Sequence, residues 1–213
     1  MPATKLICLD CDSTLSAIEG IDELARLRGL AVLGRVEEMT NDAMEGRLPV
    51  ESVFERRLEL IEPRSEDLAA VGRQYVATVE PTARDTIAAL VARGWTVVIV
   101  SGGFTQAIQP LADYLGVTRI VAVELYFTPE GSYDGFDESA PTARSGGKAE
   151  VLARLREELN PETTVMVGDG VSDLEAKPQV DRFIGFGGYV VRPKVKAGAD
   201  AFIVSLAELL KIL

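Results

Sequence analysis

The chain has 213 residues, 47% of them apolar, and 33 acidic against 22 basic side chains give it a net charge of −11. This suits one large domain, or a core with a smaller insert, and excludes a disordered chain; the acidic balance opposes nucleic acid and anionic membrane surfaces as partners. Histidine is absent, which removes Ser-His-Asp and Cys-His catalysis and every histidine-based metal centre.

Residues 4–9 form a short apolar run that stops at Asp10 and reads as a buried strand. Cys8 and Cys11, the two cysteines, lie in and just after it. A redox C-x-x-C usually opens a helix, so this pair is expected to be buried and inert. Residues 16–76 turn to Glu, Arg, Leu and Ala, with helical spacings such as Leu24/Leu27 and Val53/Phe54/Leu58/Ile61. They predict an all-helical insert able to close over a site as a lid, or a plain stabilising subdomain. Residues 82–93 predict a helix with Ile87, Leu90 and Val91 on one face. Val97–Val100 reads as a second buried strand, ending at a Ser101-Gly102-Gly103 turn. Val123–Phe127 and Tyr133 flank Pro129-Glu130-Gly131, a hairpin signal. A helix over 146–158 turns Val151, Leu152 and Leu155 inward, and Val165–Val167 is a third buried strand ending at Gly168-Asp169. Phe183–Gly188 reads as a strand running into a glycine-rich turn, and 205–212 as a last helix capped by Ser205. Strands alternating with helices specify an α/β protein with a doubly wound parallel sheet. No segment approaches the ~18 apolar residues of a membrane span. Met1–Leu9 is too short for a signal peptide, so a cytoplasmic protein is expected.

The strongest chemical feature is Asp10-Cys11-Asp12-Ser13-Thr14. In extended chain Asp10 and Asp12 project to one side, just past a strand's carboxyl end, where α/β sheets bind ligands. Two close carboxylates repel, so one ionises easily while the other is raised. That division suits a nucleophile or metal ligand beside a general acid/base. Alone, the pair reads equally as a solvated turn. An EF-hand loop fails, since its sixth position is Leu15 and its twelfth Ile21. Gly168-Asp169-Gly170-Val171-Ser172-Asp173 adds two carboxylates, although Asp173 also suits a helix cap. Four carboxylates at one sheet edge call for a hard cation, Mg²⁺ before Ca²⁺. Ser101-Gly102-Gly103 offers a hydroxyl and free N–H groups for phosphate oxygens, or is an ordinary turn. Ser145-Gly146-Gly147-Lys148 opens a helix with a cation, but Thr142 and Ala149 break a Walker A loop. All these groups fall at strand ends or helix starts, and the carboxyl ends of parallel strands share one edge.

In this order the motifs closely resemble the haloacid dehalogenase superfamily, and within it the phosphoserine phosphatases. The resemblance covers nearly the whole chain through 10–14, Glu-Gly-Ile-Asp-Glu at 19–23, Ser-Gly-Gly-Phe at 101–104, Gly-Phe-Asp-Glu at 135–138, Ser-Gly-Gly-Lys at 145–148 and Gly-Asp-Gly-x-x-Asp at 168–173. It implies a Rossmann-like core over 1–15 and 77–213, with helices on both sheet faces, a helical cap over 16–76 and a β-hairpin. It implies Asp10 as nucleophile and Asp12 as acid and then base. Mg²⁺ would be held by Asp10, the Asp12 carbonyl and Asp169, with Asp173 close behind. Ser101, Gly102 and Lys148 would cradle the phosphoryl group. Glu19 would meet the substrate ammonium and Arg57 its carboxylate, with Met44 and Val50 along the apolar part. Arg56 adjoins Arg57, and either could instead be a surface ion pair with Glu55 or Glu59. Ser172 stands where some relatives have Asn or Thr. The expected activity is hydrolysis of phosphoserine, the last step of serine synthesis, by a monomer or weak homodimer. Phosphoryl transfer to another small alcohol such as homoserine, or a non-catalytic phospho-metabolite sensor, are the alternatives.

Overall fold

The computed structural model describes residues 5–45 and 47–213, apart from the side chain of Met44. Strand β1 (Lys5–Leu9) is apolar on both faces beyond Lys5, so it must lie inside a sheet covered on both sides. It pairs in parallel with β2 (Trp95–Phe104) and β6 (Thr163–Gly168). With β3 (Ile120–Val123), β7 (Arg182–Phe186) and β8 (Ala201–Ile203) they form a six-stranded parallel sheet in the order β3-β2-β1-β6-β7-β8. The two-residue strand period sorts the core into two layers. Ile7, Leu9, Ile99, Val165 and Val167 face one, and Leu6, Cys8, Val98, Val100 and Met166 the other. Cys8 and Cys11 are buried, unpaired and in different layers, and burial pushes the Cys8 thiol up to about 12, as inert thiols require.

Four helices follow β1: α1 (Gly20–Arg26), α2 (Leu30–Met44), α3 (Val50–Ile61) and α4 (Ser65–Ala77). No strand interrupts them among the described residues, in keeping with the helical periods of 16–76. The remaining helices are α5 (Ala83–Ala92), α6 (Thr105–Leu115), α7 (Gly147–Leu159), α8 (Val171–Leu174), α9 (Pro193–Gly198) and α10 (Leu209–Ile212). Helix α4 lies tight on α6, because a Cβ on Gly72 would come within 2.9 Å of Pro110 Cγ and 3.1 Å of the Ala107 carbonyl oxygen. The hairpin pairs β4 (Leu125–Phe127) with β5 (Tyr133–Phe136) in antiparallel, with Gly131 at φ 81° in its turn.

Several expectations need correction. Strand β2 does not end at Ser101; it runs through Ser101-Gly102-Gly103 to Phe104 with a shift of register against β3. Val91 is 52% exposed, since the inward stripe of α5 is Ala83, Thr86, Ile87 and Leu90. Strands β3 and β8 escaped the sequence reading because they are short, partly buried edge strands with weak apolar patterns. The last helix opens as a 3₁₀ turn, Leu206–Glu208, and Ser205 caps it by accepting from the Ala207 N–H.

Candidate active site

The register of β1 against β2 and β6 places Leu9 beside Ile99 and Val167, so β1 and β6 end within a residue of each other beside the Val100–Ser101 stretch of β2. Asp10, Ser101 and Asp169 therefore emerge along one edge. The Asp10 N–H still donates to the Val167 carbonyl at 3.0 Å, which fixes its backbone. Helix α7 begins above the same edge and aims Lys148 down: its Nζ lies 2.7 Å from Asp10 Oδ1 and 2.6 Å from Asp173 Oδ1. That approach needs Gly147, where a Cβ would sit 1.6 Å from the Pro141 carbonyl oxygen. Gly168 plays the same part under Asp173, whose carboxyl carbon would meet a Cβ at 2.2 Å.

Carboxylate oxygens of Asp10, Asp169 and Asp173 lie within 4.8 Å of one another, all buried. Burial, then the Asp10 charge, pushes Asp169 up to about 8 and Asp173 up to about 7. Burial would lower the Lys148 ammonium, yet Asp10 and Asp173 more than offset it and hold it well above the usual lysine range. Asp173 Oδ2 accepts from the Gly170 N–H at 2.9 Å, and Asp169 Oδ1 from the Thr14 hydroxyl at 3.2 Å. Asp169 Oδ2 has no hydrogen-bond partner; Arg192 Nη1 stands 3.2 Å away but is not aligned to donate. A buried carboxylate oxygen without a donor, in an oxygen-only cluster, fits a hard divalent cation.

Asp12 is turned away from that cluster. Its Oδ1 accepts from the Gly20 N–H at 2.6 Å and the Tyr75 hydroxyl at 2.5 Å, and its Oδ2 from the Ser101 hydroxyl at 3.2 Å. Burial and the Asp10 charge raise its carboxyl above the ordinary range. One member of the Asp-x-Asp pair thus sits with a lysine and two further carboxylates, and the other among neutral donors. Burial, then the nearby Asp12 charge, likewise keeps Tyr75 protonated far above the usual phenol range.

The helical insert roofs a cleft of about 60 Å³. Its floor is Asp10, Asp12, Ser101, Gly102 and Lys148, and Glu19, Thr40, Val50, Phe54 and Arg57 face them from above. A second cleft of about 350 Å³ shares Val50 and Ser172 with it. Glu19 accepts from the Ser13 hydroxyl at 2.6 Å, and burial with Asp12 and Asp169 raises it well above the carboxylate range. Arg57 is buried and Arg56 exposed, which separates the neighbours. Arg57 Nη1 donates to Thr40 Oγ1 at 3.2 Å, Thr40 donates to Asp22 Oδ1 at 2.9 Å, and Arg57 Nε is left without a partner. Neither Glu55 nor Glu59 pairs with Arg57 among the described residues. The structure therefore brings Asp10, Asp12, Glu19, Arg57, Ser101, Gly102 and Lys148 to one cleft, with Asp169 and Asp173 buried against Asp10. The Met44 side chain lies outside the described residues.

Tyr75, Thr40, Asp22, Thr142 and Arg192 were not found from sequence. Thr142 lines the cleft with a buried, unpartnered hydroxyl. Tyr75 continues the inward stripe Leu68-Val71-Gly72 of α4, a pattern indistinguishable from ordinary core. Arg192 opens an Arg-Pro-Lys-Val-Lys stretch past a glycine-rich turn and carries no motif.

Carboxylates set against a lysine and strand-end donors, without histidine or thiolate, are equipped for phosphoryl transfer, where positioning and charge compensation do most of the work. The chain belongs to the haloacid dehalogenase-like hydrolases, whose family model matches residues 4–180. It is 41% identical to bovine (Bos taurus) phosphoserine phosphatase over 206 residues, covering 96% of this chain and 91% of that one. It superposes on a substrate-bound phosphoserine phosphatase complex with a TM-score of 0.88 at 30% identity, over 100% of both chains. A phospho-aspartyl intermediate analogue of phosphoserine phosphatase matches with a TM-score of 0.87 at 32% identity, over 99% of each chain.

Proposed function

We propose that this protein hydrolyses O-phosphoserine to serine and phosphate, with Mg²⁺, through a phosphoryl group carried on Asp10. The observation that carries the reading is the pairing of two halves in one cleft: a phosphate-handling floor of Asp10, Lys148 and Ser101, and a roof that carries a carboxylate, Glu19, and a buried guanidinium, Arg57, with the half-exposed Arg144 also on the lining. A phosphorylated amino acid presents the complementary groups, a phosphate at one end and an ammonium and a carboxylate at the other. The relatives' activity and the phospho-aspartyl analogue support the same reading.

Ser101 Oγ, the Gly102 N–H and Lys148 bind the phosphoryl oxygens and offset their charge. An Asp10 oxygen attacks phosphorus, the bond from phosphorus to the serine oxygen breaks, and Asp12 gives its proton to that oxygen. Water then attacks the phosphoryl group while the Asp12 carboxylate takes a proton from that water, and the bond to Asp10 breaks to release phosphate. The Asp12 carboxyl is raised by burial and then by the Asp10 charge, a shift toward the protonated form that the first step needs. Asp10, the Asp12 carbonyl and Asp169 would hold Mg²⁺, with Asp173 completing their surroundings. When bound, the ion supplies positive charge to the phosphoryl oxygens. Glu19 meets the substrate ammonium, and Arg57 takes the carboxylate through donors that Thr40 leaves free.

The test is phosphate release from a panel of phosphorylated metabolites with and without Mg²⁺. Turnover should be Mg²⁺-dependent and strongest with phosphoserine, and Asp10→Asn should abolish it. Equal turnover of sugar phosphates would overturn the amino-acid assignment, and an active Asp10→Asn would remove the nucleophile.

A further inference from the structure

Asp12 has two carboxylate oxygens, and the fold treats them differently. Oδ1 takes both strong donors, the Tyr75 hydroxyl at 2.5 Å and the Gly20 N–H at 2.6 Å. Oδ2 faces the Ser101 hydroxyl at 3.2 Å, on the side where the phosphoryl group binds. A carboxyl whose one oxygen accepts two short bonds carries its proton on the other. The two donors reach Oδ1 from different elements, the start of α1 and the last turns of α4.

A separate observation shows that this meeting is built in. A Cβ on Gly20 would lie 2.0 Å from the Tyr75 hydroxyl oxygen and 2.9 Å from its ring carbon. Only glycine at position 20 lets N–H and hydroxyl converge on one oxygen. Tyr75 is fully buried, and its helix is seated on α6 through the close approach at Gly72. The hydroxyl is thus held by a helix fastened to a core helix.

We propose that Tyr75 is a positioning residue for proton transfer: with the Gly20 N–H it occupies Asp12 Oδ1 and leaves Oδ2 as the oxygen that gives and takes the proton. This rests on the reading of Asp12 as acid and base. The phenol makes no covalent step and keeps its proton throughout. Without it, Asp12 keeps its place in the chain but gains freedom to rotate or to carry its proton on the wrong oxygen.

The experiment measures kcat and KM for phosphoserine, the Mg²⁺ concentration for half-activation, and Tm, in wild type, Tyr75→Phe, Asp12→Asn and the double variant. Tyr75→Phe should lower kcat roughly 10- to 100-fold, a share of the ~10²–10⁴ that a positioned acid or base contributes. KM and the Mg²⁺ requirement should stay within about twofold, since neither Arg57 nor the Asp169 cluster touches the phenol. In the Asp12→Asn background, adding Tyr75→Phe should remove nothing further, because the phenol acts only through the carboxyl. A core-packing role would instead lower Tm and leave kcat of the folded protein intact, and that result overturns the proposal. So does an equal loss in both backgrounds. Full activity in Asp12→Asn alone would overturn the reading beneath it, a different outcome from an inactive Asp12→Asn with an unimpaired Tyr75→Phe. Should Tyr75→Phe not fold, Gly20→Ala, which keeps the phenol but crowds its hydroxyl, must show the same fall in kcat at unchanged KM; normal kcat there also overturns the proposal.

Discussion

Replacing Arg57 by alanine should separate substrate recognition from catalysis. The guanidinium is buried in the roof of the cleft, spends one N–H on Thr40, and has Nε without a partner. A carboxylate arriving there gains hydrogen bonds to a charged donor, each worth about 1.5–3 kcal/mol net. At ~1.4 kcal/mol per tenfold in binding, losing one such bond raises KM roughly 10- to 150-fold. The carboxylate is remote from the bond that breaks, so the interaction is similar in ground and transition states and kcat should change little. The assay compares phosphoserine with phosphoethanolamine, which keeps the ammonium and phosphate but has no carboxylate. Arg57→Ala should raise KM for phosphoserine and leave that for phosphoethanolamine within about twofold of wild type. The variant also loses a cation–π contact, with the guanidinium 5.8 Å from the Phe54 ring centre, so Tm should fall slightly. An equal rise in KM for both substrates would mean that Arg57 shapes the roof without reading the carboxylate, and an unchanged KM for phosphoserine would refute the contact outright.

Other expectations follow from the charges and close approaches at the floor. In metal-free protein, Asp169 and Asp173 hold protons up to about 8 and about 7, against an ordinary aspartate value near ~3.9 in the unfolded chain. The folded state then binds more protons between pH ~4 and pH ~8, so stability is fully present below that range and is lost as pH rises through it. On the proposed reading Mg²⁺ would bind the deprotonated cluster, and its stabilising shift in Tm should be larger at pH ~8 than at pH ~5.5; equal shifts in thermal melts would contradict the assignment. Gly147→Ala should cost about 1–3 kcal/mol or more in denaturant unfolding, because the clash is with the Pro141 backbone and not with a movable side-chain end. Its surviving folded fraction should also lose kcat as Lys148 is displaced, and normal stability and kcat would refute that packing. Glu19→Gln should raise KM for phosphoserine but not for 3-phosphoglycerate, which has a hydroxyl in place of the ammonium, as read by phosphate release.

Much of the fold was legible because its signals are local. Fully apolar runs such as Leu6–Leu9 and Val165–Val167 must be buried on both faces, and parallel strands of that kind all point their carboxyl ends one way. Once Asp10 and Asp169 are placed just past strand ends and Ser101 past the apolar run of β2, their convergence follows from the sheet alone. The edge strands were not legible in the same way. Ile120–Val123 and Ala201–Ile203 are short, and they become strands only because β2 and β7 offer an open side. Val91 misled for a related reason: its spacing suits a wide apolar stripe, but α5 meets its neighbours along a narrower one.

The site divides along the same physical line. Residues that act through backbone geometry or a strand end announce themselves as glycine-flanked polar clusters, because close approach excludes side chains. Gly147 and Gly168 are there for that reason, and Lys148 and Asp173 could be read through them. Residues that act from a distant element leave no such mark. Tyr75 is 63 positions from Asp12, and on α4 it is one more large side chain on an inward face. Thr40 and Arg192 likewise gain a role only from what the fold sets beside them. The one trace that Tyr75 leaves in sequence is at the other end of its contact, where Gly20 opens α1 between Glu19 and Ile21 although glycine is a poor helix former. A glycine at a helix start beside a candidate site residue is therefore a prompt to ask which large side chain comes to rest against it.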